Sequence, residues 1–359
     1  MLNALKTTWL SSNGSNTKIF ESKFSKITKN KYSLAVQSGT SALHLALKSL
    51  GVKRNDKVIV PNYTCVSNLS AVSQCNAKAI LVDVEEDTFG LDYNLVLRAI
   101  KKFKPKVLQL VHVYGFPARD TYKIIKLCKK KNIKIIEDTS ESLGAKIHNK
   151  ILGTFGDISV TSIRSEKMIG VGEGAVISTS KKDIFANISL LASRAAPFRK
   201  SSDPYWKKYY VTGEGYNYLM PHLLGSIARG QIERFNKELL KKKINVGKNY
   251  LIILKKNNLN FGQKLLKNSK PVFWLNSVFF SKSSKEKVRD LGKKLKKKGI
   301  EVRSGFWPLN SLKNFNSQYV TDKDITKKIF EKIIILPSSY DLSKKDINYI
   351  ISCIKKENF

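Results

Sequence analysis

The sequence predicts an α/β protein in which a large, helix-wrapped sheet precedes a smaller α+β unit. Three observations carry that expectation. From Lys31 to about Thr179, short apolar runs alternate with amphipathic stretches, the pattern of strands joined by crossover helices. After Gly213 the pattern changes to long helical stretches. The length, 359 residues, is about 2.4 times a usual domain, enough to bury a sizeable core without staples.

Strands are expected at Ser33 to Val36, Lys57 to Val60, Ala79 to Val82, Val107 to His112, Ile133 to Glu137, Ile158 to Thr161 and Ala175 to Ser178. Between them, Leu43, Ala46, Leu47 and Leu50 fall at the i, i+3, i+4, i+7 spacing of a buried helix face. Tyr93 to Phe103 and Thr121 to Lys131 read as further crossover helices. A long helix is expected over Pro221 to Lys255, β structure at Val272 to Phe280, a helix over 284 to 298, a strand at Ile300 to Arg303 and a closing helix from Ser343. The boundary between units is placed near residue 240, giving 1–240 and 241–359, with no repeat and no low-complexity linker between them.

Composition excludes several classes. Hydrophobic residues make up 42% and aromatics 10%, too many for a disordered chain. No apolar run approaches a membrane span, and Met1-Leu2-Asn3-Ala4-Leu5-Lys6 lacks the apolar stretch of a signal peptide, so a cytoplasmic protein is expected. Cys65, Cys75, Cys128 and Cys353 are scattered, and His44, His112, His148 and His222 show no ligand spacing, so neither a metal site nor a disulfide framework is expected. The net charge is +37. That field could draw nucleic acid, an anionic membrane or phosphate-bearing substrates. The lysines, however, crowd helical stretches such as Lys293 to Lys298 rather than one tail, which reads as solvated surface.

Three segments can carry chemistry. In Val36-Gln37-Ser38-Gly39-Thr40-Ser41-Ala42 a strand runs through glycine and hydroxyl residues into a helix, where free N–H groups and the helix dipole could hold a phosphate; an ordinary N-cap looks the same. Asp138 ends a strand, where open α/β sheets bind ligands, and could face a protonated ring nitrogen; the other reading is a turn or cap residue. Lys167 sits between a strand and the turn Gly170-Val171-Gly172-Glu173-Gly174. A strand, not a helix, follows those glycines and no Gly-Lys-Ser/Thr is present, which argues against a dinucleotide or nucleotide-hydrolysis loop.

In this order and spacing the motifs resemble the DegT/DnrJ family of nucleotide-sugar aminotransferases, pyridoxal-phosphate enzymes of fold type I. The resemblance spans nearly the whole chain: Thr8-Trp9-Leu10-Ser11-Ser12 with Phe20-Glu21, Ser38-Gly39-Thr40, Val60-Pro61, Glu137-Asp138, Lys167 with Gly172-Glu173-Gly174, Gly215-Tyr216-Asn217-Tyr218, and Glu301-Val302-Arg303 leading to Trp307-Pro308-Leu309. It implies an α/β/α sandwich with a mixed seven-stranded sheet, a smaller α+β C-terminal domain, and a homodimer with active sites at its interface. It also implies pyridoxal 5′-phosphate as cofactor and, as reactants, L-glutamate and a nucleotide diphosphate keto sugar, with neither nucleic acid nor membrane as the expected partner.

By the same resemblance, Lys167 matches the lysine that forms the Schiff base and moves the proton, and Asp138 the carboxylate facing the pyridine nitrogen. Glu141 lies beside the ring hydroxyl. Gly39, Thr40 and Ser41 match the phosphate-binding helix start, Ser162 a second phosphate ligand, and Asn217 the asparagine that reaches the neighbouring subunit's phosphate. Arg303 borders the acceptor. The chain departs from the pattern at Cys65, where an aromatic ring usually covers the pyridine, at Leu219 in place of Arg, at Asn310 in place of His, and at Ala175 after Gly-Glu-Gly. The lysine separates it from dehydratases of the family, which carry His. Its opening and its Glu301 to Leu309 stretch look most like perosamine synthases, which aminate C4 of a GDP-linked 4-keto-6-deoxy sugar. Amination at C3, or a basic binding protein on a retired fold, are the alternatives.

Overall fold

The computed structural model describes residues 2–7, 9–12, 14–198 and 202–357; Thr8 of the opening motif lies outside them. The strands are β1 (Tyr32–Val36), β2 (Lys57–Pro61), β3 (Lys78–Val82), β4 (Val107–Val111), β5 (Lys134–Asp138), β6 (Lys146–Ile147), β7 (Lys150–Ile151), β8 (Ile158–Ser162) and β9 (Ala175–Thr179). They continue as β10 (Asn260–Phe261), β11 (Ser269–Lys270), β12 (Asn276–Phe279), β13 (Arg303–Ser304), β14 (Ser317–Val320) and β15 (Ile333–Leu336).

The main sheet has eight strands in the order β1-β9-β8-β5-β4-β2-β3-β14. Seven are those expected from the sequence, each within a residue or two. The eighth corrects the expected count: Ser317–Val320 returns from the C-terminal part of the chain and pairs in parallel with β3. Ser-Gln-Tyr-Val is short and polar, and closing the sheet edge is a tertiary event that no local pattern announces. Among the described residues of this sheet, only β9 runs against its neighbours. The central strands are buried on both faces and so read as continuous apolar runs.

Helices cover both faces: α1 (Leu2–Lys6), α2 (Ser15–Thr28), α3 (Gly39–Ser49), α4 (Val66–Gln74), α5 (Tyr93–Phe103), α6 (Thr121–Lys130) and α7 (Lys182–Ala192). Ser38 caps α3 through its hydroxyl, and Asp92 caps α5 through two backbone N–H groups, which is why those helices begin where they do. Two apolar cores result. One holds Phe20, Tyr63, Tyr114 and Met168; the other holds the α3 face with Val58, Val60 and Val160.

The long C-terminal helix is α8 (His222–Arg234) continued through a π-helical turn (Phe235–Leu239) into α9 (Leu240–Lys256). Then come α10 (Lys285–Lys297), α11 (Ile325–Lys332) and α12 (Lys344–Lys355), the last opened by a capping box at Ser343. They support the sheet β10-β12-β15-β13 over a third core that includes Tyr250, Leu291, Ile334 and Ile351. The strand expected at Ile300 to Arg303 is instead Arg303–Ser304, paired with β15. Ile300 and Val302 are buried, so their apolar character reflects packing, not pairing. A third sheet, β11-β6-β7, pairs residues 269–270 with the β6–β7 hairpin.

Candidate active site

Because β1, β2, β4, β5 and β8 all run the same way, their carboxyl ends open onto one edge of the sheet, where ligands of open α/β sheets bind. A cleft of about 370 Å³ lies there, completed by residues 274–275 and 303–306 from beyond the long helix. Its lining includes Gly39, Thr40, Cys65, Asp138, Glu141, Ser162, Lys167 and Arg303. Eight of the ten residues singled out from the sequence therefore meet in one place.

The loop that joins antiparallel β8 to β9 delivers the lysine. It is held by Ile163 N–H to Gly174 O (2.9 Å), Ser165 N–H to Gly172 O (2.9 Å) and Lys167 N–H to Arg164 O (2.8 Å), with the Tyr340 hydroxyl donating to Met168 O at 3.0 Å. This explains why its glycines precede a strand. Lys167 Nζ stands 3.7 Å from Glu141 Oε1 and 3.4 Å from the centre of the Trp274 ring. The indole in turn donates to Glu166 O at 2.8 Å, which fixes the ring that packs the amine.

Asp138 ends β5 and is buried. Its carboxylate accepts from Asn68 Nδ2 at 3.0 Å and from Ser140 N–H at 2.9 Å. Asn68, on the first turn of α4, is itself buried and held by the Thr64 hydroxyl (3.1 Å), while Gln109 donates to its carbonyl (3.3 Å). Glu141 is also buried and accepts from the Tyr114 N–H at 2.7 Å. Burial pushes its carboxyl up to about 7, against the opposing pull of the Lys167 ammonium and the Tyr114 N–H.

At the anion end, Gly39 and Thr40 open α3 with unpaired first-turn N–H groups toward the cleft, and a Cβ added at Gly39 would lie 3.4 Å from Ser162 Cβ, so this wall is narrow. Ser41 is turned away: its hydroxyl lies 2.9 Å from Ser38 Oγ, it is buried, and it does not line the cleft, whereas Ser38 does. Cys65 is half-buried, 3.4 Å from Ser67 Oγ. Asn217 is exposed and outside the cleft, bridged to Ser193. Arg303 lines the rim and pairs with Glu301 at 3.0 Å.

The departures from the motif pattern have structural roles. Asn310 N–H donates to Asn62 Oδ1 (2.8 Å) and Asn62 Nδ2 to Asn310 Oδ1 (2.9 Å), tying the 308–311 turn to the end of β2. Leu219 bridges to Val36 and packs on the second core. His44 is buried against Tyr216 and Tyr218, and desolvation lowers its pKa. Asn68, Tyr114 and Trp274 carry no local signal for their place here: each acts through a contact distant in the chain, and an aromatic within an apolar run is the one pointer to Trp274. Among the described residues there is no cluster fit to hold a metal ion, and no helix is long and apolar enough to cross a membrane.

As a donor set the cleft offers a helix start with hydroxyls for a phosphate, an oriented buried carboxylate for a ring nitrogen, and an amine for a carbonyl carbon. That set fits pyridoxal 5′-phosphate. The chain is 32% identical to a GDP-perosamine synthase of Escherichia coli O157:H7 over 355 residues, covering 98% of this chain and 93% of that one. It is 29% identical to a GDP-perosamine synthase of Caulobacter vibrioides over 354 residues, 99% and 93% of the two chains. In fold it matches a GDP-4-keto-6-deoxymannose-3-dehydratase solved with a trapped PLP-glutamate geminal diamine, with a TM-score of 0.88 at 21% identity over 98% and 95% of the chains. The model of the DegT/DnrJ/EryC1/StrS aminotransferase family matches residues 1–355, and the chain belongs to that family as a pyridoxal-phosphate-dependent aminotransferase.

Proposed function

We propose that this enzyme transfers the amino group of L-glutamate to C4 of GDP-4-keto-6-deoxymannose. The observation that carries the reading is the 32% identity to a GDP-perosamine synthase across almost the full length of both chains. When bound, pyridoxal 5′-phosphate supplies the electron sink for the carbon from which a proton is removed. The remaining work falls to residues of this chain.

Lys167 Nζ is the covalent attachment point. With the cofactor bound, its amine would be the group placed to take the proton from Cα of glutamate in the first half and, in the second, to give a proton to C4 of the sugar. Trp274 limits the volume the amine can sweep and excludes water from one side of it. Asp138, kept in one orientation by Asn68 and Ser140, would hold the proton on the ring nitrogen. Glu141 would lie beside the ring hydroxyl, and Gly39, Thr40, Ser38 and Ser162 would receive the phosphate, with Ser41 supporting Ser38. Cys65, which lines the cleft, would give the ring a thinner cover than an aromatic side chain. Arg303 at the rim meets the diphosphate of the acceptor.

Two further readings belong to the same proposal. Residues 1–240 form the cofactor-binding unit and 241–359 the smaller one. The active form is a homodimer in which Asn217 reaches the partner's cleft: it is exposed and near a segment whose Tyr205, Trp206 and Tyr209 are 82%, 70% and 95% accessible, an apolar surface of the kind that interfaces cover.

The test is direct. Protein loaded with cofactor is mixed with L-glutamate and either GDP-4-keto-6-deoxymannose or a nucleotide-linked 3-keto sugar, and products are read by mass spectrometry. Amination of the 4-keto sugar alone is expected. Turnover of only the 3-keto sugar would overturn the C4 assignment.

A further inference from the structure

The turn after β4 contains a conformation that needs a reason. Tyr114 is fully buried and adopts φ = 56°, a left-handed conformation that a bulky residue takes only under constraint. Gly115 follows at φ = 97°; a Cβ there would sit 2.6 Å from Trp274 N and 2.9 Å from Phe273 N. The pair thus lets the backbone at 272–275 approach closely, sealed by Val272 N–H to Gly115 O (3.0 Å) and Leu275 N–H to Tyr114 O (3.3 Å).

What the turn holds is spread around the cleft. The Tyr114 N–H donates to Glu141 Oε2 at 2.7 Å. Its phenolic oxygen accepts from Phe306 N–H at 3.2 Å and shares a hydrogen bond of 3.0 Å with the Tyr63 hydroxyl. Its ring stacks on Phe306, centroids 5.2 Å apart, and lies 6.4 Å from Trp274, the ring under Lys167 Nζ. A Cβ at Gly305 would fall 2.1 Å from the Tyr63 hydroxyl, so the 303–306 segment is seated directly on the tyrosine pair.

We propose that Tyr114 is a positioning residue that ties the Arg303–Phe306 segment to the carboxylate of Glu141 beside Lys167, its N–H serving one side and its phenol the other. The strained backbone aims the N–H at Glu141 while the side chain reaches the opposite wall. The proposal rests on the reading above, in which Lys167 carries the cofactor and the 303–306 segment borders the acceptor. It adds that the two walls are registered through one side chain, so the acceptor is held at a set distance from the lysine.

Tyr114→Phe separates the two connections, because it removes the phenol and keeps the backbone N–H. With the cofactor-loaded enzyme, rapid-mixing absorbance follows each half-reaction. KM for the keto sugar is expected to rise roughly tenfold while the glutamate half stays within about twofold, and hydrogen exchange at the Phe306 amide should quicken by a similar factor, because that N–H has lost its acceptor. Tyr63→Phe, which leaves the Phe306 bond in place, should change sugar KM by less than about threefold. Equal slowing of both halves, or no change in either, would overturn the proposal. So would an unprotected Phe306 amide in the unmodified protein, a measurement that does not depend on any variant folding. If the unmodified enzyme turned over no 4-keto sugar at all, the substrate reading would fall first, by a separate experiment.

Discussion

Glu141→Gln tests the electrostatics of the cleft while keeping an acceptor for the Tyr114 N–H. Glu141 is buried, accepts from the Tyr114 N–H and lies 3.7 Å from Lys167 Nζ, and burial pushes its carboxyl from 4.5 up to about 7. A carboxyl raised on folding holds a proton in the folded chain that the unfolded chain has already lost between pH 4.5 and about 7. Stability must therefore fall as pH rises through that window, with the contribution complete below pH 4.5 and gone above about pH 7. Raising the carboxyl from 4.5 to about 7 corresponds to a contribution on the order of 3 kcal/mol. Glutamine keeps an oxygen for the Tyr114 N–H but does not titrate. Urea unfolding of the cofactor-free protein at pH 5, 6.5 and 8 should thus show a downward slope that is shallower in the variant by up to that amount. Glu21, also raised to about 7 by burial, remains in both proteins, so the difference between them isolates Glu141. Parallel curves would refute the reasoning.

Other expectations follow from the same geometry. Borohydride reduction of the cofactor-loaded protein, then peptide mapping, should find the label on Lys167, and Lys167→Ala should lose transamination by several orders of magnitude while its melting temperature moves by only a few degrees; a label on another lysine would sink the assignment. Arg303→Ala should raise sugar KM about tenfold and leave the glutamate half nearly untouched, since an exposed arginine paired with Glu301 contributes little to the fold. Loss in neither half would remove it from the acceptor site. Mixing Lys167→Ala with Asn217→Ala subunits should restore part of the activity, because one of the two sites then receives both intact residues. Light scattering that found a fully active monomer would contradict the shared site.

The fold was legible where a local pattern and a tertiary demand coincide. Strands β1 to β5, β8 and β9 are apolar because they are buried, and the same burial sets their spacing along the chain, so pattern and structure agree. The agreement ends where burial and pairing separate. Ile300 and Val302 are apolar because they fill a core, yet the pairing falls on Arg303 and Ser304, which are exposed. Residues 317–320 pair although nothing in their composition asks for it. The buried run Ile333–Leu336, the partner of both β12 and β13, carries no strand signal of its own, because four apolar residues after a helix read equally well as its continuation.

The site divides along a similar line. Lys167, Asp138, Glu141 and the α3 start carry chemistry in their own residue types, and parallel strands ending on one edge bring such residues together without further instruction. Asn68, Tyr114 and Trp274 have no such signature. An asparagine on a helix, a tyrosine in a turn and a tryptophan in an apolar run become functional only through what they touch: a carboxylate 70 residues away, a backbone amide 192 away and the lysine packed on the indole ring. Ser41 shows the converse. It has the right residue type at the right spacing, but the capping hydroxyl of Ser38 captures its side chain, so Ser38 and not Ser41 faces the cleft. Sequence therefore locates the groups that react, and the contacts that set their angles and distances emerge only when the segments beyond the long helix fold back over the sheet.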